Sequence, residues 1–171
     1  YYFDDGYWNG NVWMSHQWFV WKTMLDNGDT DFAFAIADRA LEMWREETDF
    51  TYFTYECFGI KTRRGGWFHN FGGLSAPIVI WANAYYKPGT VTTGLDTWTD
   101  YQKVTDDSAE ISFKYYGKSD SYSMLVTLSD NNSYKAYLDG KTAEFKNRNN
   151  GCMEFTFDGS VKQGVLKIEK A

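Results

Sequence analysis

The hydrophobic period of the chain changes part-way along it, and no single layer of secondary structure satisfies both halves. Before residue 88 the chain reads as helices, with Phe32, Ala35, Ile36, Ala40, Met43 and Trp44 recurring at three- and four-residue spacing. From Ile111, Phe113 and Tyr115 onward apolar side chains alternate, as on half-buried strands. The tryptophans divide in the same way: all eight (8, 13, 18, 21, 44, 67, 81 and 98) lie in the first 98 of 171 residues. The change of period follows Lys87-Pro88-Gly89 and the Gly/Thr-rich stretch to Gly94, where a helix can hardly continue. The sequence therefore predicts two parts, 1–88 and 99–171, joined by a linker at 89–98.

In the first part, Asn11 to Leu25 is apolar on nearly every side and stops at Asn27-Gly28, which predicts a buried helix with a C-terminal cap. Thr30 is the expected cap of an amphipathic helix of about four turns, with Phe32, Ile36, Ala40 and Met43 on one face and Asp38, Glu42 and Arg45 opposite. A third helix is expected from Ser75, with Pro77 in its first turn, to just before Pro88. Between the second and third lies a non-helical stretch, Asp49 to Gly73, dense in aromatics and glycine. Long loops of that kind are usually functional. In the second part, Met124, Val126 and Leu128, then Tyr134, Ala136 and Leu138, then Met153, Phe155, Phe157, Val165 and Ile168 extend the alternation. Asp139-Gly140 and Asn149-Asn150-Gly151 mark turns. Six or seven strands in a small antiparallel β-sandwich are expected.

Several function classes are excluded or unsupported. A formal net charge of -6 repels a phosphate backbone, so no nucleic-acid partner is expected. The longest apolar run near the middle, Ala76 to Ala82, is far below the roughly 20 residues of a membrane span. No nucleophile elbow, phosphate-cradling loop or dinucleotide fingerprint is present, and His16, His69, Cys57 and Cys152 form no zinc spacing, so neither cofactor nor metal is expected. Asn131-x-Ser133 is formally a glycosylation acceptor, and Asp130, Asp139 and Asp158 lack the spacing of a calcium loop. The first residues, Tyr1 to Tyr7, contain neither a starting Met nor a basic signal segment, and suggest a piece of a longer protein.

What remains is a set of rings beside carboxylates and amides. Sugars present C–H faces to aromatic rings and hydroxyls to polar groups, so a tryptophan-rich acidic pocket suits a neutral carbohydrate. Trp8, Trp13 and Trp67 are candidate platforms, with Asn9, His69 and Asn70 as hydrogen-bonding candidates. Trp18, Trp21, Trp44 and Trp81 read as packing. Asp4 and Asp5 are either sugar ligands or solvated carboxylates beside Gly6. Tryptophan at helical spacing is more often core than ligand platform, and Glu56 also reads as a loop carboxylate paired with Lys61, Arg63 or Arg64.

Two runs carry a resemblance. Tyr7-Trp8-Asn9-Gly10-Asn11-Val12-Trp13 is followed, in order, by Tyr55-Glu56, Gly65, Asn70-Phe71-Gly72 and Ser75-Ala76. Over roughly residues 1 to 88 this resembles the C-terminal end of an (α/α)6-barrel glycoside hydrolase of the group around family 63, with mannosylglycerate hydrolase-like enzymes and trehalases as relatives. Asn9 and Asn11 stand where that family has arginine and proline. The resemblance implies an α+β chain in two parts: C-terminal helices of an (α/α)6 barrel, then the small β-sandwich. It also implies an inverting hydrolase of oligosaccharides or glycosides, with Glu56 as the general base. The general acid would lie outside this chain, in a missing N-terminal part of the barrel on the same or another chain, so the fragment alone would be inactive. Export to the periplasm or beyond is the habit of such enzymes. Against this stand two alternatives: a carbohydrate-binding module over 100–171, where Tyr115, Tyr116, Tyr122, Tyr134 and Tyr137 would be the stacking rings, and a scaffold with no activity.

Overall fold

The computed structural model describes residues 6–148 and 150–171. Asp4, Asp5 and Asn149 therefore lie outside the described residues. The chain forms two compact units, one from residues 6–21 and 34–81 of those described and one from 22–33 and 82–171, the divisions falling inside each of its three helices.

The first unit contains strand β1 (Asn11–Val12), most of helices α1 (Met14–Asp26), α2 (Thr30–Thr51) and α3 (Gly72–Tyr86), and the hairpin β2 (Tyr55–Gly59) and β3 (Gly65–His69). Asn11 and Val12, expected in a helix, instead pair with Gly59 and Phe58, so β1 forms the edge of a three-stranded antiparallel sheet. Helix α1 ends as its sequence suggests. Gly28 takes φ +74°, Asp29 N–H bonds Met24 O at 2.9 Å and Gly28 N–H bonds Leu25 O at 3.2 Å, a Schellman cap. Helix α2 runs for 22 residues, well beyond four turns. Its cap is Asp29, whose carboxylate accepts from Phe32 N–H at 3.0 Å, not Thr30. Helix α3 starts at Gly72, so Pro77 lies inside it. Trp21 and Trp81, both fully buried, meet edge to face at 6.2 Å.

The second unit holds nine strands: β4 (Thr90–Thr93), β5 (Thr97–Val104), β6 (Ala109–Tyr115), β7 (Ser121–Thr127), β8 (Tyr134–Leu138), β9 (Lys141–Ala143), β10 (Lys146–Asn147), β11 (Cys152–Asp158) and β12 (Gln163–Lys170). They form a four-stranded sheet, β10-β11-β7-β4, and a five-stranded sheet, β5-β6-β12-β8-β9, antiparallel throughout. One core joins the inward side chains of both sheets, with Ile111, Phe113, Met124, Phe155 and Leu166 at its centre. Leu166 and Ile168 face this core and Val165 faces outward, as strict alternation along β12 requires. Asp139 and Gly140 take φ +49° and +79°, the two left-handed residues of a type I′ hairpin turn. Residues 89–98, expected as a linker, contain β4 and the start of β5.

Strand β7 is buried on both faces, and the helix ends of this unit hold to the four-stranded sheet by polar contacts. Thr127 Oγ1 donates to Ala84 O at 2.6 Å, and Asp26 accepts from Leu95 N–H at 2.8 Å and Asp96 N–H at 3.1 Å. The Asp26 carboxylate fills the space where a Cβ on residue 94 would sit, which is why glycine stands there.

The expected fold class is corrected. The described residues contain three helices against twelve strands in three antiparallel sheets, a mostly β chain of the α+β class and not the C-terminal helices of an (α/α)6 barrel followed by a small β-sandwich. The six-hairpin description and the resemblance built on it fall with that class. The physical reason is visible between α2 and α3. The stretch expected as a loop is a hairpin paired to β1, so a three-stranded sheet is built into the part of the chain that a barrel would give to helix pairs. No helix among the described residues is long and apolar enough to cross a membrane.

In the second unit Glu154 is 2% exposed, and Arg148 Nε bonds its carboxylate at 2.6 Å while another nitrogen reaches Asp31 at 2.6 Å. Replacing Arg148 by Ala leaves a buried charge without its counter-ion and is expected to lower unfolding free energy in urea by about 3–5 kcal/mol. Lys167→Ala, which breaks only an exposed pair with Glu169, is expected to change it by no more than about 1 kcal/mol.

Candidate functional site

The site is built on the β2–β3 hairpin. Its turn, residues 60–64, lacks the glycine that usually marks a tight reversal. Arg63 takes the left-handed conformation instead, at φ +57°. Gly59 and Arg64 close the turn, N–H to O at 3.0 Å. Glu47 on α2, 2% exposed, holds the hairpin: its carboxylate accepts from Arg64 Nε at 2.6 Å, Arg64 Nη2 at 3.1 Å and Gly65 N–H at 3.0 Å. Arg64 lies over the Phe50 ring at 4.5 Å. Gly65 is glycine because the Tyr55 ring occupies the position a Cβ would take.

Further along, the pairing loses register. Tyr55 pairs with His69 and Cys57 with Gly66, so Glu56 alone faces two residues, Trp67 and Phe68. This is a bulge on β3, and Trp67 adopts φ +64° within it. Left-handed backbone is unfavourable for a ring-bearing residue. Of the five non-glycine residues with positive φ among those described, four (Tyr52, Arg63, Trp67 and Asn70) fall between α2 and α3. Such strain concentrates where a side chain must be aimed.

Glu56 is 6% exposed. Its Oε1 accepts a hydrogen bond from the Tyr7 hydroxyl, and its Oε2, also buried, has no partner among the described residues. The arginines expected as its alternative partners are engaged elsewhere: Arg63 with Glu42 and Glu46 at 3.1 Å each, Arg64 with Glu47. The hydrogen bond to Glu56, together with burial and the charge beside it, pushes the Tyr7 phenol up to about 12, so it remains a donor at neutral pH.

Around this pair the structure brings together rings distant in sequence. Tyr7 stands edge-on to Trp8, Trp13 and Trp67 at 5.0, 4.7 and 4.8 Å. Trp8 stacks on Trp13 at 4.3 Å, and Trp13 Nε1 donates to Tyr7 O at 2.8 Å, pinning the turn that carries Tyr7. Trp8 and Trp67 are exposed and Trp13 is buried. His16 meets the edges of Trp8 and Trp13 at 5.5 and 6.1 Å. The remaining candidates stand apart. His69 pairs across from Tyr55, hence on the sheet face opposite Glu56, and leans on Phe53 at 4.8 Å. Asn70 lies past the end of β3, its backbone N–H on Thr54 O, and Asn9 is exposed in the turn before β1. Tyr7 is the member that sequence reasoning quoted only as part of a motif. Its partner lies 49 residues away, beyond the reach of any local pattern.

No three His, Cys, Asp or Glu side chains among the described residues are grouped to hold a metal ion. No family model matches the chain, and a search of curated proteins finds no match. The family resemblance therefore has no support from sequence comparison either.

Both cysteines are free and buried. Burial, and for Cys57 the neighbouring Glu56 charge, pushes Cys57 up to about 11, and burial pushes Cys152 up to about 12. Neither thiol is expected to react with a thiol-disulfide reagent at pH 8 in the folded protein, and both are expected to react once it is denatured. Rapid labelling of Cys57 would contradict the closed hairpin face. Glu47 supplies a pH test of the same hairpin. Arg64 and Gly65 N–H hold its carboxyl below the ordinary glutamate value, outweighing burial. Its stabilisation is complete above about pH 4.5 and fades as pH falls through the lowered native value. Glu47→Gln is thus expected to flatten the acid side of a plot of Tm against pH, with the loss largest at neutral pH.

Proposed function

We propose that the Glu56 site binds a neutral carbohydrate and that Glu56 acts there as the general base of glycoside hydrolysis, taking a proton from the attacking water. The observation that carries this reading is the buried Glu56 Oε2, which has no donor among the described residues. A buried acceptor of that kind is where a water or a sugar hydroxyl belongs. Tyr7 holds the other oxygen and so fixes the plane of the carboxylate. Trp8 and Trp67 supply exposed ring faces for the C–H face of a sugar. Inversion needs a second, protonated carboxyl roughly 6.5–9.5 Å from the base. The acid of this reading comes from outside the described residues.

That last requirement favours a second reading, sugar binding without turnover. Within the first unit the other buried carboxylate, Glu47, is committed to Arg64 and Gly65, and no described carboxyl is shown facing Glu56. The two readings part on one experiment with the intact protein and a panel of neutral oligosaccharides. The hydrolytic reading expects release of reducing sugar, cut by about 10²–10⁴-fold in Glu56→Gln with affinity little changed, because the amide keeps the shape but cannot take the proton. Binding without release in the wild type would leave only the second reading. Undiminished turnover in Glu56→Gln would reject the base assignment.

A further inference from the structure

We propose that the outer face of the five-stranded sheet in the second unit is a separate docking surface for a neutral oligosaccharide, anchored by Trp98. In the sequence Trp98 falls at the end of the expected linker, 89–98, and the strands beyond it offer tyrosines but no tryptophan. The structure places it on β5 instead, 66% exposed, directly across from Lys114 of β6. Of the tyrosines, Tyr115 and Tyr122 are buried and stacked on each other at 3.8 Å, which removes them as platforms. Tyr116 and Tyr101 are exposed, and Trp98 meets Tyr116 edge-on at 6.3 Å.

A bulge creates this face. Pairing between β5 and β6 shifts between Thr99 and Tyr101, so residues on either side of it no longer alternate. Thr99 and Gln102, three apart, hydrogen-bond to each other at 2.7 Å, while Trp98 and Tyr101, also three apart, share the opposite, outward face. Two rungs then cross the sheet: Trp98, Lys114 and Gln163, and beside it Tyr101, Ser112 and Val165. Lys114, Gln163, Ser112 and Val165 of these rungs, with Asp100, Asp139 and Gly164, line a shallow cleft of about 320 Å³, within the size range of small-ligand sites, and Trp98 and Tyr101 stand on the neighbouring strand across from Lys114 and Ser112.

The charge on this face selects the ligand. Lys114 is paired with Asp100 at 2.8 Å and Lys167 with Glu169 at 2.8 Å, so both of these lysines are offset by a neighbouring carboxylate. Exposed rings beside internally neutralised polar groups match a polyhydroxylated, uncharged ligand. They do not match an apolar protein surface, which would meet two desolvated ion pairs.

The test is native gel electrophoresis of the full chain through soluble mannan, xylan, mixed-linkage β-glucan and amylose, with polygalacturonate as the anionic counterpart. Retardation by at least one neutral polysaccharide and not by polygalacturonate is expected. Trp98→Ala should weaken it by about tenfold or more, the scale of truncating a central aromatic anchor. Tyr116→Ala should weaken it less. Trp98 is a surface residue, and an unchanged urea midpoint in Trp98→Ala checks that the variant folds. No retardation by any neutral polysaccharide, or retardation that Trp98→Ala leaves at its wild-type strength, overturns the inference. If the surviving retardation is lost in Trp67→Ala, binding belongs to the Glu56 site, and that earlier reading stands without this one.

Discussion

A single buried carboxylate, Glu47, sets the geometry from which the candidate site follows. It reaches from α2 to the far end of the β2–β3 turn and takes both an arginine side chain and a backbone N–H. Leaving a carboxylate buried to this degree without its partners is costly, so the turn has little freedom to move away. With the turn fixed, the mismatch in pairing falls opposite Glu56, and Trp67 takes the left-handed backbone the bulge imposes. Glu56 is then buried with one oxygen held by Tyr7 and the other without a partner among the described residues, whereas both oxygens of Glu47 are bonded.

Much of the scaffold is legible in the sequence wherever the controlling chemistry is local. Asn27-Gly28 closes α1 and Asp139-Gly140 turns β8 into β9, because a left-handed residue at a fixed offset is something glycine or an Asx residue announces. Ile111, Phe113, Met124 and Phe155 are inward-facing strand residues, because period-two alternation says which face is buried. The hairpin at 55–69 is not legible for the complementary reason. Its turn uses Arg63 rather than glycine in the left-handed position, and its strands are too short and too broken by the bulge to show alternation. Asp29 rather than Thr30 caps α2 because adjacent residues of similar capping ability cannot be ranked by type alone.

Shared motifs were a weaker guide than spacing suggested. Tyr7-Trp8 and Tyr55-Glu56 do meet, through a hydrogen bond between Tyr7 and Glu56, but in a sheet-bearing unit and not in a helical barrel. Trp98, the last residue of the expected linker, lies in β5, since a composition boundary need not coincide with a structural one. Both units contain a bulge that breaks alternation at one residue, and in the second unit it brings Trp98 and Tyr101, which regular pleating would separate, to the same side.

The central claim is that Glu56, ringed by Tyr7, Trp8, Trp13 and Trp67, receives a sugar hydroxyl or the water beside it. The most direct measurement is nitrogen-resolved NMR of the eight indole N–H groups during titration with a neutral oligosaccharide. The account predicts that the Trp8, Trp13 and Trp67 signals shift together with one saturation curve while those of buried Trp21 and Trp81 stay fixed. Signals at 8, 13 and 67 that remain still at every concentration, whether or not Trp98 responds, would contradict it.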